Sequence, residues 1–309
     1  MNYLYCFDSN YNKQAFNSIS SILRKVSEEH TFFIIHKQPE TFSNYLGYLE
    51  NTKHNFHIYE FQNNYGSFPR VSNTHVSEAT YYRLFIDEYL PSNIDYITYV
   101  DADIVCLNDP TEVILEQIKA LEHSSKIVAV RTEEDGNEEY IKRLSLNQTK
   151  YFNAGVMVID FKKWKTLAVE NIFINNLNHI KDKILWWDQD VLNKTFDGNY
   201  VELNMNLNFP IHEDTNFDNE EILKNVNFLH YQGKTKPWSI TSFLKSYSIF
   251  YQEQYKLSFN QNYHVIVEKP LRDFYTFIKI LIFEKKLKDK YKFFKVYLHS
   301  LIRYFNYKK

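Results

Sequence analysis

The chain has 309 residues, 44% of them hydrophobic and 24% charged, with a formal net charge of −2. A chain of this length buries a substantial core without disulfide or metal staples, as one large domain or two small ones, and the composition excludes disorder as the main state. Two cysteines, Cys6 and Cys106, make neither a disulfide framework nor a CxxC metal pair.

The first strand is expected at Asn2–Phe7, followed by the polar turn Asp8-Ser9-Asn10-Tyr11. Ala15, Ile19, Ile22, Leu23 and Val26 then recur at helical spacing. Thr31–His36 and Phe56–Phe61 read as strands. Ser77–Tyr89 reads as a helix with Ala79, Tyr82, Phe85, Ile86 and Tyr89 on one face, ended by Pro91. Buried strands are expected at Tyr96–Val100, Lys126–Val130 and Gly155–Ile159. Asp188–Phe196 looks helical, and Asn227–Tyr231 is a strand running towards Gly233. Strands alternating with helices predict an α/β sheet. The composition shifts to Tyr, Phe, Lys and Asn near residue 245, which divides the chain into 1–245 and 246–309.

No stretch approaches the ~20 apolar residues of a membrane span, and no basic-then-apolar leader opens the chain, so an intracellular, cytoplasmic protein is expected. Residues 284–309 hold nine Lys/Arg against two acids, a formal +7 that leaves −9 on the rest. An acidic body carries no nucleic-acid footprint.

Four local patterns carry chemistry. In Tyr99-Val100-Asp101-Ala102-Asp103, two carboxylates stand two apart just past a buried strand. In open α/β sheets, ligands bind beyond the carboxyl ends of strands. On an extended segment, side chains two apart point the same way, so Asp101 and Asp103 can converge on Mn²⁺ or Mg²⁺. The alternative is a solvated turn capped by aspartates. Tyr151-Phe152-Asn153-Ala154-Gly155 places a rare glycine at the entry of an apolar strand, for close approach of a ligand or for a β-bulge. Asp188-Gln189-Asp190 opens a helix, where carboxylates cap it or grip sugar hydroxyls. In His230-Tyr231-Gln232-Gly233-Lys234-Thr235-Lys236-Pro237-Trp238, a strand-end imidazole suits Mn²⁺ better than Mg²⁺. Lys236 can neutralise a phosphate that the Gly233 backbone approaches. A structural histidine is the alternative.

The order of these patterns, with Asp8-Ser9-Asn10-Tyr11 before them and Tyr82-Arg83-Leu84 and Lys162-Lys163-Trp164 among them, resembles glycosyltransferase family 8 over residues 2 to 240. That family includes glycogenin and bacterial lipopolysaccharide α-galactosyltransferases. The resemblance implies a GT-A fold, a Rossmann-like mixed sheet flanked by helices, here followed by a helical basic C-terminal extension. It implies a retaining, Mn²⁺-dependent transfer of galactose or glucose from a UDP-sugar to a surface glycan or glycolipid such as lipopolysaccharide or lipooligosaccharide. By position, Asp101, Asp103 and His230 would hold the metal. Asp8, Asn10 and Tyr11 would hold uracil and ribose, and Lys236, Gly233 and His75 the phosphates. Arg83 would bridge the donor sugar and the metal-binding carboxylates. Asn153, Ala154, Asp188 and Gln189 would surround the hexose, with Ala102 between the metal ligands. Gln189 would lie nearest the β face of the anomeric carbon, and Asp190 is the candidate nucleophile if retention proceeds by double displacement rather than front-face attack. The relatives commonly carry an aspartate just after the strand at Ala129-Val130; this chain has Thr132 there, then Glu133, Glu134 and Asp135.

Leu287, Tyr291, Phe294, Leu298, Leu301 and Phe305 form an apolar helix stripe flanked by lysines 285, 286, 288, 290, 292 and 295. Residues 284–309 are therefore expected to contact the anionic inner leaflet as a peripheral attachment, the alternative being a helix docked on the body. Two other classes compete with the whole reading. A metal-dependent nucleotidyltransferase gives no reason for the HYQGxxKPW cluster. A non-catalytic sugar-nucleotide-binding subunit need not keep every metal- and phosphate-matching residue.

Overall fold

The computed structural model describes residues 1–64, 68–69, 77–134, 137–212, 218–234, 236–243, 245–261, 265–267, 269–283 and 290–306. The apolar run Asn2–Phe7 forms β1, and Asn12–Leu23 forms α1, which buries Ala15, Ile19 and Ile22. Then follow β2 (Thr31–His36), α2 (Ser43–Leu49) and β3 (Asn55–Glu60). Glu78–Glu88 is a 3₁₀ helix and not the amphipathic α-helix expected there. Ser77 caps it through its hydroxyl, its backbone departs from helical geometry at Phe85, and residues 81–86 are all buried, so no solvent face exists to impose a helical period. Next come β4 (Tyr96–Val100), β5 (Ile104–Cys106), α3 (Thr111–Glu122), β6 (Val128–Thr132) and α4 (Asn137–Leu144). β7 spans Phe152–Asp160, longer than expected. All nine of its residues are buried, so the polar-apolar alternation that marks a half-buried strand is missing. Then come α5 (Phe161–Thr166), α6 (Val169–Ile180), α7 (Trp187–Phe196), β8 (Val201–Glu202), β9 (Phe209–Ile211), α8 (Asn219–Asn225) and β10 (Phe228–Tyr231). The last helices are α9 (Ile249–Phe259), α10 (Pro270–Phe283) and α11 (Lys290–Asn306).

The main sheet runs β3-β2-β1-β4-β7-β6-β8, and β5-β10-β9 form a small second sheet. β1 is parallel to both β2 and β4. The chain leaves β1 outward through β2 and β3, then returns to the other side of β1 as β4. The carboxyl ends of β1 and β4 therefore flank a topological switch point, the place where α/β sheets bind ligands. β7 runs antiparallel to β4 with Val100 opposite Val156, which brings Asn153-Ala154-Gly155 to that same end. The β6–β7 register slips between Ala129 and Arg131, opposite the Ala154–Met157 stretch, which fits the bulge alternative for Gly155. The mixed α/β sheet flanked by helices is the expected fold class.

One continuous cluster packs on one face of the main sheet, from Leu4 and Phe33 through Tyr82, Tyr99 and Met157 to Trp164 and Phe196, while Tyr5, Ile34 and Val158 are buried on the other face. Lys163 anchors α3 to this body. Its ammonium bonds the carbonyls of Leu121 (2.7 Å), Ser124 (2.9 Å) and Lys126 (3.3 Å) around the end of that helix.

The chain divides into two compact units, Met1–Phe209 with Glu220–Leu229, and Pro210–Asn219 with His230–Lys309. The second unit thus begins before the compositional shift near residue 245. Its core groups Ile240, Phe243, Val265, Val267, Phe277 and Tyr297, with the last two rings stacked at 4.2 Å. Among the described residues, no helix is long and apolar enough to cross a membrane.

Candidate active site

Arg83 is the hub of the carboxyl end of the sheet. It is buried on the 3₁₀ helix, with its guanidinium over the Tyr99 ring at 4.5 Å. Nη1 donates to Asp101 Oδ1 (3.2 Å) and to the Ala154 carbonyl (2.8 Å), while Nε donates to Asp188 Oδ2. Three predicted positions after β4, at the start of β7 and in the first turn of α7 are thus tied by one planar cation, a geometry a lysine does not reproduce. Burial opposes the charge, but Asp188, Tyr99 and Asp101 outweigh it and hold the guanidinium well above its usual range. Burial pushes the Asp188 carboxyl up, with Arg83 acting against that shift. Asp188 is therefore no helix cap: the capping position is Trp186, which makes no side-chain cap bond.

Asp101 and Asp103 do not converge by lying on an extended segment. Ala102 and Asp103 are in a turn closed by the Ile104 amide on the Asp101 carbonyl (3.2 Å), and the turn folds both carboxylates to one side. The Asp101 amide donates to the Gly155 carbonyl (2.8 Å), and Tyr99 donates its hydroxyl to Asp101 Oδ1. His230 is the third residue of β10, whose first two residues belong to the first compact unit. Ligand atoms of Asp101, Asp103 and His230 lie within 4.8 Å of one another. Two carboxylate oxygens and one imidazole nitrogen fit a divalent metal ion.

α7 presents the next group. Trp187 enters it in the left-handed region (φ 52°), setting the backbone direction of Asp188 and Gln189. Asn193 then clamps the helix onto β7: its Oδ1 accepts from the Phe152 amide (2.7 Å) and its Nδ2 donates to the Phe152 carbonyl (2.9 Å). Gln189 Oε1 accepts from the Ala154 amide (3.0 Å), and its Nε2 donates to the Tyr151 hydroxyl (3.3 Å). Asp190 is fully buried. It accepts both prongs of Arg143 (2.8 and 2.9 Å), the Tyr151 hydroxyl (2.7 Å), and the amides of Leu185 (2.8 Å) and Trp186 (2.9 Å).

Asn153 Oδ1 accepts from the Gly155 amide and from Asn208 Nδ2, both at 3.0 Å, so its Nδ2 faces Glu133 Oε1 at 2.9 Å. Glu133, held also by Arg131 at 3.6 Å, is thus an acid of the post-β6 segment that reaches a predicted hexose-binding residue; Asp135 lies outside the described residues. Thr132 turns instead to Tyr200 (2.7 Å) and Glu202 (2.6 Å). After β1, Asp8 caps the 3₁₀ turn Ser9–Tyr11 by accepting from the Asn10 amide (2.9 Å). Gly233 follows β10 at φ 72°. A Cβ there would meet nothing within 4 Å, so its freedom of conformation and not crowding calls for glycine. Lys236 is buried, with Nζ on the Tyr231 carbonyl at 2.7 Å. His75 lies outside the described residues. Arg143 and Asn193 gave no sign in the sequence, because their partners are 47 and 41 residues distant. The one available hint was the Tyr-Phe-Asn and Asp-Gln-Asp pairing that they brace.

Known proteins resemble this chain in sequence and in fold. A lipopolysaccharide 1,2-glucosyltransferase of Escherichia coli is 30% identical over 169 residues, 52% of this chain and 49% of that one. A lipopolysaccharide 1,3-galactosyltransferase of Salmonella typhimurium is 29% identical over 176 residues, again 52% of this chain and 49% of that one. The chain thus matches about half the length of these relatives. The crystal structure of the galactosyltransferase LgtC, in complex with donor and acceptor sugar analogues, superposes with a TM-score of 0.69 at 20% identity, covering 88% of this chain and 99% of that one; this likeness establishes the fold. The glycosyl transferase family 8 model matches residues 2–242, and the chain belongs to that family.

Proposed function

We propose that this glycosyltransferase moves galactose or glucose from a UDP-sugar to a surface-glycan acceptor of the lipopolysaccharide or lipooligosaccharide type, with retention of configuration and with Mn²⁺. The observation that carries the reading is the joining of Asp101, Asp103 and His230 into one ligand set beside the Arg83–Asp188 pair. A divalent ion held there supplies Lewis acidity that offsets the charge gained by the departing diphosphate. Lys236 adds a fixed positive charge for that leaving group, and the Gly233 turn lets backbone approach it. Asp8, Asn10 and Tyr11 take the uridine. Arg83 fixes Asp101 and Asp188 in register, so that the hexose is gripped by Asp188, Asn153 and the Ala154 backbone in one orientation. Glu133 takes the place of the relatives' aspartate and accepts from a sugar hydroxyl.

Retention proceeds by front-face attack. Both oxygens of Asp190 are committed to five donors, among them a bidentate arginine, so its lone pairs are directed away from a role as nucleophile. Gln189 offers an amide oxygen to the positive centre and cannot form a stable ester. The proton of the acceptor hydroxyl leaves with the departing phosphate. The test is nucleotide release by the purified protein with Mn²⁺ across a panel of nucleotide sugars. Turnover of UDP-galactose or UDP-glucose that is lost in Asp103→Asn supports the reading. Silence across the panel, with no UDP binding in the presence of Mn²⁺, overturns it.

The second unit supports a cytoplasmic enzyme attached to the inner leaflet. α10 exposes Leu271, Phe274, Ile282 and Phe283, and α11 exposes Phe294, Leu298 and Phe305, in a segment whose formal charge is strongly positive. Apolar side chains flanked by lysines suit an anionic bilayer surface. The check is co-sedimentation with vesicles containing phosphatidylglycerol, with and without residues 284–309; equal binding by both refutes the attachment.

A further inference from the structure

Tyr151 lies at the mouth of β7, buried between two residues of α7 that carry opposite demands on its hydroxyl. Asp190, a carboxylate paired with Arg143, only accepts, so the single Tyr151 proton points to Asp190 Oδ1 at 2.7 Å. The oxygen of Tyr151 is then left as an acceptor, and the atom 3.3 Å away on Gln189 must be the nitrogen. At the other end of the same amide, the Ala154 backbone only donates, so the atom 3.0 Å away must be the oxygen. Both ends of the amide thus receive the same instruction from groups that have no alternative. The polarity runs without a break from Arg143 through Asp190 and Tyr151 to Gln189, and Asp190 is held besides by the amides of Leu185 and Trp186. Tyr140 packs on the Tyr151 ring at 4.7 Å and keeps the phenol from rotating out of line.

We propose that Tyr151, braced by Asp190 and Arg143, is a positioning residue that fixes the orientation of the Gln189 amide and so aims its oxygen at the reacting sugar. The inference rests on the glycosyltransferase reading and assigns the Asp190 carboxylate an indirect part in it. Without the phenolic oxygen, Gln189 keeps a single anchor at Ala154. Its side chain then swings about that one bond, and the amide oxygen is off target for most of the time. Binding of the nucleotide, which involves none of these residues, stays as it is.

The experiment is a double-mutant cycle on nucleotide release from UDP-galactose and UDP-glucose with Mn²⁺, using the full chain as wild type, Tyr151→Phe, Gln189→Ala and the double variant. Tyr151→Phe is expected to lower kcat by roughly 10- to 100-fold, the scale of a small misplacement at a reacting centre. Donor KM should stay within about twofold, because a ground-state contact is not being removed. In the Gln189→Ala background the same substitution should change kcat by less than about twofold, since the group it positions is gone. Wild-type kcat in Tyr151→Phe overturns the proposal. So does a loss that multiplies fully onto that of Gln189→Ala, because Tyr151 would then act on the fold and not through Gln189. Melting curves and UDP affinity in Mn²⁺ show whether each variant is folded. If Tyr151→Phe is not, Arg143→Gln runs the same cycle from the far end of the network, with the same expected coupling and the same overturning result. No turnover by the wild type overturns the UDP-galactose or UDP-glucose donor reading on which this inference rests, whereas turnover without coupling overturns this inference alone.

Discussion

Replacing Arg83 by Met keeps most of the side-chain volume and removes the charge. The structure makes this a severe change, because Asp188 is as buried as Arg83 and takes its ion-pair partner from that guanidinium alone among the described residues. Removing one partner of a buried pair costs about 3–5 kcal/mol, because the other charge is left uncompensated. At ~2–4 °C per kcal/mol for a chain of this size, the melting temperature should fall by roughly 6–20 °C near neutral pH. The size of the loss also depends on pH with a definite sign. With the guanidinium gone, burial and the nearby Asp101 charge both raise the folded-state pKa of Asp188. A carboxyl raised in the folded state contributes stability that is fully present below its unfolded pKa, near 4, and lost as pH rises through the folded value. The gap between wild type and Arg83→Met should therefore be widest at pH 8 and narrow steadily towards pH 5. Arg83→Lys should fall between the two, since one ammonium does not span Asp101, Ala154 and Asp188 together. Thermal melts of the three proteins from pH 5 to 8, reported as differences, are the assay. A gap that does not change over that range, or one below about 1 kcal/mol, would refute the argument that Arg83 holds Asp188 ionised.

Three further outcomes follow from other parts of the molecule. Glu170 lies against Asp87 and Glu88, and burial, then those two charges, push its pKa up to about 7. Its stabilising contribution is therefore lost as pH rises through 7, so Glu170→Gln should melt higher than wild type at pH 8 and level with it at pH 5; a lower melting temperature at pH 8 would count against this. Glu133→Gln should reduce donor turnover about tenfold while leaving the melting temperature within a few degrees, because the side chain is partly exposed and its bond to Asn153 can be remade by an amide. Lys163→Met removes the ammonium from three carbonyls and should cost about 1–3 kcal/mol of stability with no change in kcat, as it lies outside the site; a fall in kcat without a fall in melting temperature would contradict that assignment.

What could be read in the sequence, and what could not, divides along the range of the interactions. β1, β2 and β4 have the boundaries expected of them because each is a short apolar run closed by polar residues, a local signal. The resemblance carried by the order of the motifs named Asp101, Asp103 and His230 as one set, and their ligand atoms do lie within 4.8 Å of one another. The 3₁₀ helix defeated the periodicity argument because residues 81–86 are enclosed on every side, and a segment without a solvent face has no period to display. The carboxylate pair was right in position and wrong in cause. A turn at Ala102, and not strand alternation, sets the angle between the two side chains, and Arg83, 18 residues earlier, fixes it. Asp190 shows the limit most clearly. Read locally, it is either a helix-dipole acid or a nucleophile. Its distant partners, Arg143 across 47 residues from an amphipathic helix with nothing unusual in its sequence and Tyr151 across 39, help turn it into a fixed acceptor. An acid at the start of a helix therefore says little about nucleophilicity until its partners are counted, and the partners are what distance along the chain conceals.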